Sequence, residues 1–134
     1  MKQVELAVRA QLDDMLKPAG ITALQYTALT VLERRADLSA AELARNSFVT
    51  TQTMADMVTA LETRGLISRQ RDPGNRRRLM LRLTGTGDEL LDAYRGKVAA
   101  LEARMLTALT DRQARDLRRY LVACRAALAE QPAH

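Results

Sequence analysis

Residues 39–83 constrain the fold of this chain more than any other part of its sequence. Ser39 precedes Glu42 by three residues, a capping-box spacing that predicts the start of a short helix. Residues 46–50 then read as a turn. A second helix follows, with an apolar stripe at helical spacing formed by Met54, Met57, Val58 and Leu61. Two short helices joined by a tight turn are a helix-turn-helix, which this segment therefore predicts.

A basic hairpin is predicted directly after the second helix. Residues 66–70 and 79–83 read as two extended stretches, the second with Leu79, Leu81 and Leu83 at alternate positions. The connection between them has strong turn chemistry and then three arginines, in the order Asp72, Pro73, Gly74, Asn75, Arg76, Arg77 and Arg78. Crowded like charges cost free energy unless solvent or an anion relieves them, so the hairpin tip favours an anionic partner.

The distribution of charge supports a nucleic-acid partner for this segment. Eight arginines and four acidic residues leave residues 41–83 with a net charge of +4, which is most of the +5 of the whole chain. A basic surface of this kind is the electrostatic footprint of nucleic-acid binding. For each piece alone the plain alternative is a solvated helix face or a solvated loop. Their succession in one segment favours binding of double-stranded DNA.

The candidate DNA-binding residues fall into three groups. Short polar side chains on the second helix would face base edges in the major groove: Thr51, Gln52, Thr53 and Asp56. At the hairpin tip, Arg76 and Arg77 would contact DNA, with Arg77 in the adjacent minor groove. Four further residues would hold phosphates: Ser39, Thr50, Arg64 and Arg78.

Flanking segments predict four more helices and a mainly α fold. The first helix ends near Leu16, before Pro18 and Gly20, and a Thr22–Gln25 capping box starts the next, which ends near Arg35. After the hairpin, a long helix over residues 85–106 is capped by Thr84, and the last helix starts at residues 110–111. The terminal helices carry long apolar stripes that the small central unit alone would struggle to cover, which favours packing between subunits.

Composition excludes several classes of protein. The chain has 134 residues and is 47% hydrophobic, enough for one folded domain. Its one cysteine, Cys124, rules out an intrachain disulfide and lies on the apolar stripe of the last helix, where we expect core packing. The only histidine is His134, for which we expect no role. No Ser/His/Asp or Cys/His catalytic set can therefore be assembled, and we expect no enzyme.

No cofactor, metal site or membrane segment is expected either. The sequence has no CxxC pair and no cluster of cysteines and histidines for zinc. Residues 1–16 carry acidic residues within their apolar pattern, so they predict neither a signal peptide nor a membrane span, and we expect a cytoplasmic protein.

The order of elements and two stretches of sequence resemble the MarR family of winged helix-turn-helix regulators. These stretches are LSAAELA and TMADMVTALETRGLISRQRDPGNRRRLMLRLT, within which Asp72-Pro73-x-x-Arg76-Arg77 and Leu83-Thr84 look like the family's wing signature. The flanking helices also match, so the resemblance covers nearly all of the chain.

The resemblance implies a single domain over residues 1–134 that acts as a homodimer. Residues 22–83 would form the winged helix-turn-helix, and residues 1–18 and 85–130 would supply the dimerisation helices. The dimer would bind a pseudo-palindromic operator and repress transcription until a small, often aromatic effector releases it. Tyr26 would either line the effector pocket or pack in the core.

Two departures from the family pattern leave alternatives open. Relatives often have a basic residue where this chain has Asp56, which could accept a hydrogen bond from cytosine, organise a neighbouring arginine, or weaken phosphate binding. The wing often has an acid where this chain has Asn75, so Asp72 could instead orient Arg77. Asp56 keeps open a second function, a dimeric helical protein-interaction module without sequence-specific DNA binding. A thiol-based redox switch through Cys124 is a third hypothesis.

Overall fold

A computed structural model describes residues 1–129 as a mainly helical chain with one β-hairpin, which confirms the predicted fold class. The elements in chain order are α1 (Lys2–Leu16), a 3₁₀ turn (Lys17–Ala19), α2 (Ala23–Arg34), α3 (Ala40–Ser47), α4 (Thr51–Thr63), β1 (Ile67–Asp72), β2 (Asn75–Leu83), α5 (Gly85–Met105) and α6 (Asp111–Ala129). His134 lies outside the described residues. None of the helices in the described part of the chain is long and apolar enough to cross a membrane.

Local capping chemistry determines where most of the helices begin. The predicted capping boxes at Thr22–Gln25 and Ser39–Glu42 are both present, each with two reciprocal hydrogen bonds. Thr84 accepts a hydrogen bond from the Gly87 amide at the start of α5, as predicted. These side chains satisfy amides that a helix N-terminus leaves unpaired, so they stop each helix from fraying at that end.

The hairpin is longer than predicted, and the leucines that alternate along its second strand differ in burial. β2 begins at Asn75 rather than at residue 79, and the antiparallel register shifts between Arg71 and Asp72. The alternating leucines differ in burial, because Leu79 is 39% exposed while Leu81 is buried, as is Met80 on the other face of the strand. Leu81 also forms an isolated bridge with Leu38, so the strand pairs with the α2–α3 loop at this position.

One hydrophobic core joins the end of α1, the central helices, the hairpin and the first turns of α5. Its largest fully buried side chains are Leu16, Leu29, Leu43, Met54, Val58, Leu61, Ile67, Leu81 and Leu91. Tyr26 belongs to this core at 7% exposure, and its burial raises its pKa. Of the two predicted positions for Tyr26, the structure shows core packing.

Apolar side chains at the outer ends of α1 and α5 and along α6 are exposed instead. No residue of α6 is buried in this chain, and the exposed set includes Val4, Leu6, Met105, Leu109, Tyr120, Leu121, Val122 and Leu128. Cys124 is exposed as well, so the prediction that it packs in the core was wrong for the single chain. The apolar stripe of α6 exists, but within the described residues its side chains are at most half-buried, as Leu117 is.

Candidate nucleic-acid interface

The connection between α3 and α4 is a tight turn of only three residues. α3 continues to Ser47, so it includes the first two residues of the turn predicted over 46–50. Phe48 ends the helix in the left-handed region at φ 57°. The Val49 amide donates to the Ala44 carbonyl, and Thr50 then caps α4 by accepting from the Thr53 amide at 3.1 Å. Leu43 and Ala44 are fully buried beneath the turn. The packing of α3 thus fixes the position at which α4 begins.

The exposed face of α4 carries the residues predicted to read bases. Thr51, Gln52, Thr53 and Asp56 are all exposed, while the apolar stripe of α4 on the opposite side is buried. The Gln52 side-chain amide donates to the Asp56 carboxylate at 3.4 Å. No ion pair to Asp56 forms among the described residues, so the structure shows no arginine organised by this acid. The helix therefore presents a polar surface with one accessible carboxylate.

The tip of the hairpin, here called the wing, holds its backbone in place with its own side chains. The Asp72 carboxylate accepts from the Gly74 amide at 2.8 Å, and Asn75 accepts from the Arg77 amide at 3.1 Å. Arg71 donates to the Arg76 carbonyl at 2.7 Å. The side chains of Arg76 and Arg77 are exposed, and no ion pair in residues 1–129 involves either of them. Both guanidinium groups are available to an anion outside the protein.

Arg78 points back into the protein, unlike the two arginines before it. Its guanidinium lies 2.5 Å from the Glu42 carboxylate, 3.1 Å from that of Asp72 and 2.8 Å from the Asp37 carbonyl oxygen. Asp72 is thus bound to Arg78, and not to Arg77, the arginine that the sequence suggested it could orient. These contacts tie the wing to the first turn of α3, so the Arg78 guanidinium is bound to groups of its own chain. Its predicted contact with a phosphate stays a prediction.

Glu42 is the common partner of the α3 cap and of the wing. Its pKa is lowered to about 2, first by the hydrogen bond from the Ser39 backbone and next by that from Arg78. Ser39 in turn uses its hydroxyl to accept from the Glu42 amide at 3.2 Å. The carboxylate therefore stays ionised and links the N-terminus of α3 with the wing.

A second ion pair, which the sequence reading missed, supports the base of the wing. Arg82 pairs with both carboxylate oxygens of Asp37, a residue held in the left-handed region at φ 67° in the α2–α3 loop. The hydrogen bond from Arg82 is the main reason that the pKa of Asp37 is lowered. No local signal in the sequence connects these residues, because they lie 45 positions apart.

Arg64 lies away from the polar surface of α4, at the other end of that helix. Its guanidinium donates to the Gly20 and Ala19 carbonyl oxygens, both at 2.5 Å. The predicted set of phosphate ligands is therefore divided: Ser39 and Thr50 lie at the N-termini of α3 and α4, whereas Arg64 and Arg78 are engaged within the chain.

Comparison with known proteins connects this arrangement to one family. The model of the MarR family matches residues 21–79. The transcriptional repressor Rv2887 of Mycobacterium tuberculosis is 34% identical over 119 residues, which are 89% of this chain and 86% of that protein. Its structure in complex with salicylic acid is similar to this chain with a TM-score of 0.74 and 32% identity over 92% of this chain and 91% of that one.

Two more distant structures share the same fold. The transcriptional regulator SlyA superposes with a TM-score of 0.87 at 22% identity, covering 96% of this chain and 91% of that one. The MepR–DNA complex of S. aureus has a TM-score of 0.80 at 21% identity, covering 95% and 94%. The arrangement of α3, α4 and the wing is thus one that occurs in a protein solved with DNA.

Proposed function

The chain belongs to the MarR family and is a DNA-binding transcriptional regulator, and from that premise we propose that it is a homodimeric, ligand-responsive repressor. The observation that carries the proposal is the position of two kinds of side chain. The polar face of α4 and the arginines of the wing tip are both exposed, and both belong to the unit that Ser39, Glu42 and Arg78 hold together. A DNA-binding protein needs polar side chains that reach base edges, as on α4, and positive charge that meets the DNA backbone, as on the wing.

In this proposal α4 lies in the major groove and the wing lies in the adjacent minor groove. Thr51, Gln52, Thr53 and Asp56 meet base edges, and the Asp56 carboxylate suits the amino group of a cytosine. Arg76 and Arg77 enter the negative potential of the minor groove. Ser39 and Thr50, with the amides at the helix N-termini beside them, contact phosphates.

The dimer is proposed from the exposed apolar surface of the terminal helices. Residues 22–83 read DNA, and residues 1–18 and 85–130 hold the two chains together. Many exposed apolar side chains on neighbouring helices mark an interaction site. In the single chain no residue of α6 is buried. A twofold dimer presents two α4 helices, which is why we propose a pseudo-palindromic operator.

A small aromatic effector is the third part of the proposal. An open apolar groove of about 690 Å³ is lined by α1, the first half of α2, the end of α5 with the connection that follows it, and Leu117 and Leu121 of α6. Because Leu121 also belongs to the proposed dimer surface, the groove would lie at the subunit interface. Arg9, which pairs with Glu5, is among its lining residues. The related Rv2887 structure contains salicylic acid. We therefore propose an aromatic carboxylate as the effector class, with salicylate as the first compound to test. We also propose a cytoplasmic location and no enzymatic activity, since the relatives are transcriptional regulators.

The direct test is fluorescence anisotropy with duplex DNA from the chain's own upstream region, measured over a series of salt concentrations. We expect binding that weakens with salt. Arg76→Ala/Arg77→Ala should bind more weakly and lower the salt slope by about four, roughly one for each of the four wing charges that the proposed homodimer loses. Lys2→Ala/Lys97→Ala removes the same charge from exposed positions outside residues 22–83 and should leave the slope unchanged.

Each outcome of this experiment separates the candidate functions. If the wild-type chain binds no duplex at low salt, the DNA-binding proposal fails for this operator region. Capture of a protein partner that depends on the exposed Asp56 would then support the interaction module. Release of bound DNA by salicylate supports the effector class, and a peroxide response abolished by Cys124→Ser would support the redox switch.

A further inference from the structure

The C-terminal end of α4 is tied by hydrogen bonds to both of the helices that would hold the dimer together. The Arg64 side chain, directly after α4, donates to the carbonyl oxygens of Ala19 and Gly20, at the end of the 3₁₀ turn that follows α1. On the other side, the Thr84 hydroxyl donates to the Gly65 carbonyl oxygen at 2.5 Å while it caps α5. The end of α4 is therefore connected with the turn after α1 through the Arg64 side chain and with α5 through the Gly65 carbonyl.

The backbone around Gly20 is shaped to receive the Arg64 guanidinium. Gly20 has φ +73°, and a Cβ at this position would overlap the guanidinium nitrogen of Arg64. Its amide is bound to the Lys17 carbonyl oxygen at 2.9 Å, and its own carbonyl accepts from Arg64. A cation is also favoured here because it meets the carbonyl end of a helical turn.

The corner that Arg64 contacts is rigidly joined to both α1 and α2. The Asp13 carboxylate of α1 accepts from the Ala23 amide in the first turn of α2 at 2.6 Å. Leu16, the last residue of α1, is fully buried in the core. A displacement of α4 relative to this corner must therefore break the contacts of Arg64 or move α1 with it.

The start of α5 is packed as closely on the same junction. The Thr84 amide donates to the Leu66 carbonyl oxygen at 3.1 Å, and a Cβ at Gly87 would overlap that oxygen. Two independent ties thus converge on the end of α4 that is furthest from its base-reading residues. Such an arrangement holds the angle of a helix, since its N-terminal half is positioned by α3 and its C-terminal end by α1 and α5.

We propose that Arg64 is a positioning residue that fixes the angle between α4 and the dimerisation helices, and thereby sets the half-site spacing that the dimer accepts. The inference rests on the proposed homodimer with one α4 in each major groove. One extra base pair between half-sites moves them apart by about 3.4 Å and rotates them by about 35°, because a turn of about 10 base pairs spans roughly 34 Å. A dimer with rigidly held α4 helices rejects such a shift, and one with loosened helices tolerates it.

The test compares the spacing preference of wild type and variants. The probe is a duplex with the inverted repeat that the wild-type protein selects from a random pool, and further duplexes have this repeat lengthened or shortened by one and two base pairs. Anisotropy gives the ratio of affinities between the selected spacing and each altered spacing. Loss of a charge-assisted contact corresponds to about tenfold, so Arg64→Ala should reduce the preference for the selected spacing by about that factor.

Companion variants separate positioning from a phosphate contact and from general destabilisation. Gly20→Ala keeps the arginine charge but displaces its guanidinium, so it should relax the spacing preference while leaving the salt slope unchanged. Arg64→Lys should restore part of the preference, because an ammonium can donate to one or both carbonyls without the planar fork. Lys17→Ala removes a charge from the same corner without a tie to α4 and should behave as wild type.

Two results would overturn the inference while leaving DNA binding intact. One is an Arg64→Ala protein that binds the selected repeat and rejects altered spacings as strongly as wild type does. The other is a salt slope reduced by about two in the Arg64→Ala dimer, with the spacing preference of Gly20→Ala unchanged, which would make Arg64 a phosphate ligand. Failure of the wild type to select any repeat would count against the proposed function instead.

Discussion

The central unit over residues 22–83 and the last helix, α6, cover their apolar side chains in different ways. In the central unit Leu43, Met54 and Leu61 are fully buried by elements of the same chain. In α6, Leu121 and Leu128 remain 55% and 66% exposed although they recur at helical spacing. Both regions have an amphipathic sequence, yet only one of them finds its packing partner within the chain.

The difference teaches that amphipathic pattern and burial are separate properties. A stripe of leucines indicates that a helix must be covered, but not by which chain. Contacts within one chain stabilise it equally at every concentration, whereas contacts between chains depend on concentration by mass action. DNA reading and dimerisation should therefore respond differently to mutation.

Leu121→Glu should have the largest effect, because it places a charge in the apolar surface that we assign to the second chain. We expect the dimer to dissociate at micromolar concentration, with light scattering giving the mass of one chain. Affinity for a two-half-site duplex should fall by at least about 100-fold, because linked binding of the second half-site is lost. Leu121→Met keeps the apolar volume and should remain dimeric. A Leu121→Glu protein that stays dimeric would refute the role of α6.

Leu61→Ala should cost the most stability within the central unit. Leu61 is fully buried on α4, and truncating a buried leucine typically costs about 2–5 kcal/mol of unfolding free energy. Urea unfolding at fixed protein concentration measures this loss. Thr59→Ala, an exposed position on the same helix, should change it by less than about 0.5 kcal/mol. Equal losses for the two variants would mean that α4 is not packed on the core as described.

Local chemistry explains which parts of the fold the sequence predicts well. The capping boxes need only residues three positions apart, so Thr22 and Ser39 identify the starts of α2 and α3 correctly. The turn at residues 72–75 is local too, and it places the hairpin. The bridge between Leu81 and Leu38, by contrast, joins residues that are distant in the sequence, and no local pattern predicts it.

The candidate site is predictable only where its side chains act alone. Arg76 and Arg77 are exposed at the wing tip, a position that the turn chemistry suggests. Arg78 and Arg64 look like the same kind of residue in the sequence, but their partners lie 36 and 44 positions away in Glu42 and Gly20. A single sequence carries no signal for such pairs, so all four arginines were equally good candidates for DNA contacts.

Arg77→Gln and Arg78→Gln should divide these roles between DNA binding and stability. Arg77 is exposed, so its loss should weaken DNA binding by about 1–3 kcal/mol per half-site. The salt slope should fall by about two, since the dimer loses two charges, and unfolding should be unchanged. Arg78 has two carboxylate partners, so its loss should lower the unfolding free energy, measured by urea unfolding, relative to both wild type and Arg77→Gln. Its salt slope should match that of wild type. A lower salt slope with unchanged unfolding in Arg78→Gln would instead make Arg78 a phosphate ligand like those predicted at the helix N-termini.

The smallest effect expected is the pH dependence that Glu42 contributes within the central unit. Its pKa in the folded chain is about 2, below the ordinary 4.5 of a glutamate, because the Ser39 backbone and Arg78 bind the carboxylate. A lowered folded pKa gives stability that is present above pH 4.5 and is lost as the pH falls through about 2. Glu42→Gln should therefore be less stable than wild type near pH 6, by about 1–2 kcal/mol after allowance for partial solvent exposure.

The difference between the two proteins is the informative quantity, since other carboxylates such as Asp37 titrate in both. We expect it to shrink steadily below pH 4.5 in thermal unfolding scans between pH 7 and pH 3. Glu89→Gln on α5, an exposed carboxylate, is the control and should show no such trend. Because Glu42 and its partners belong to one chain, the difference should also be the same at every protein concentration. A difference that varies with concentration would place part of this network at the subunit interface, and the separation between a self-contained reading unit and a shared dimer surface would fail there.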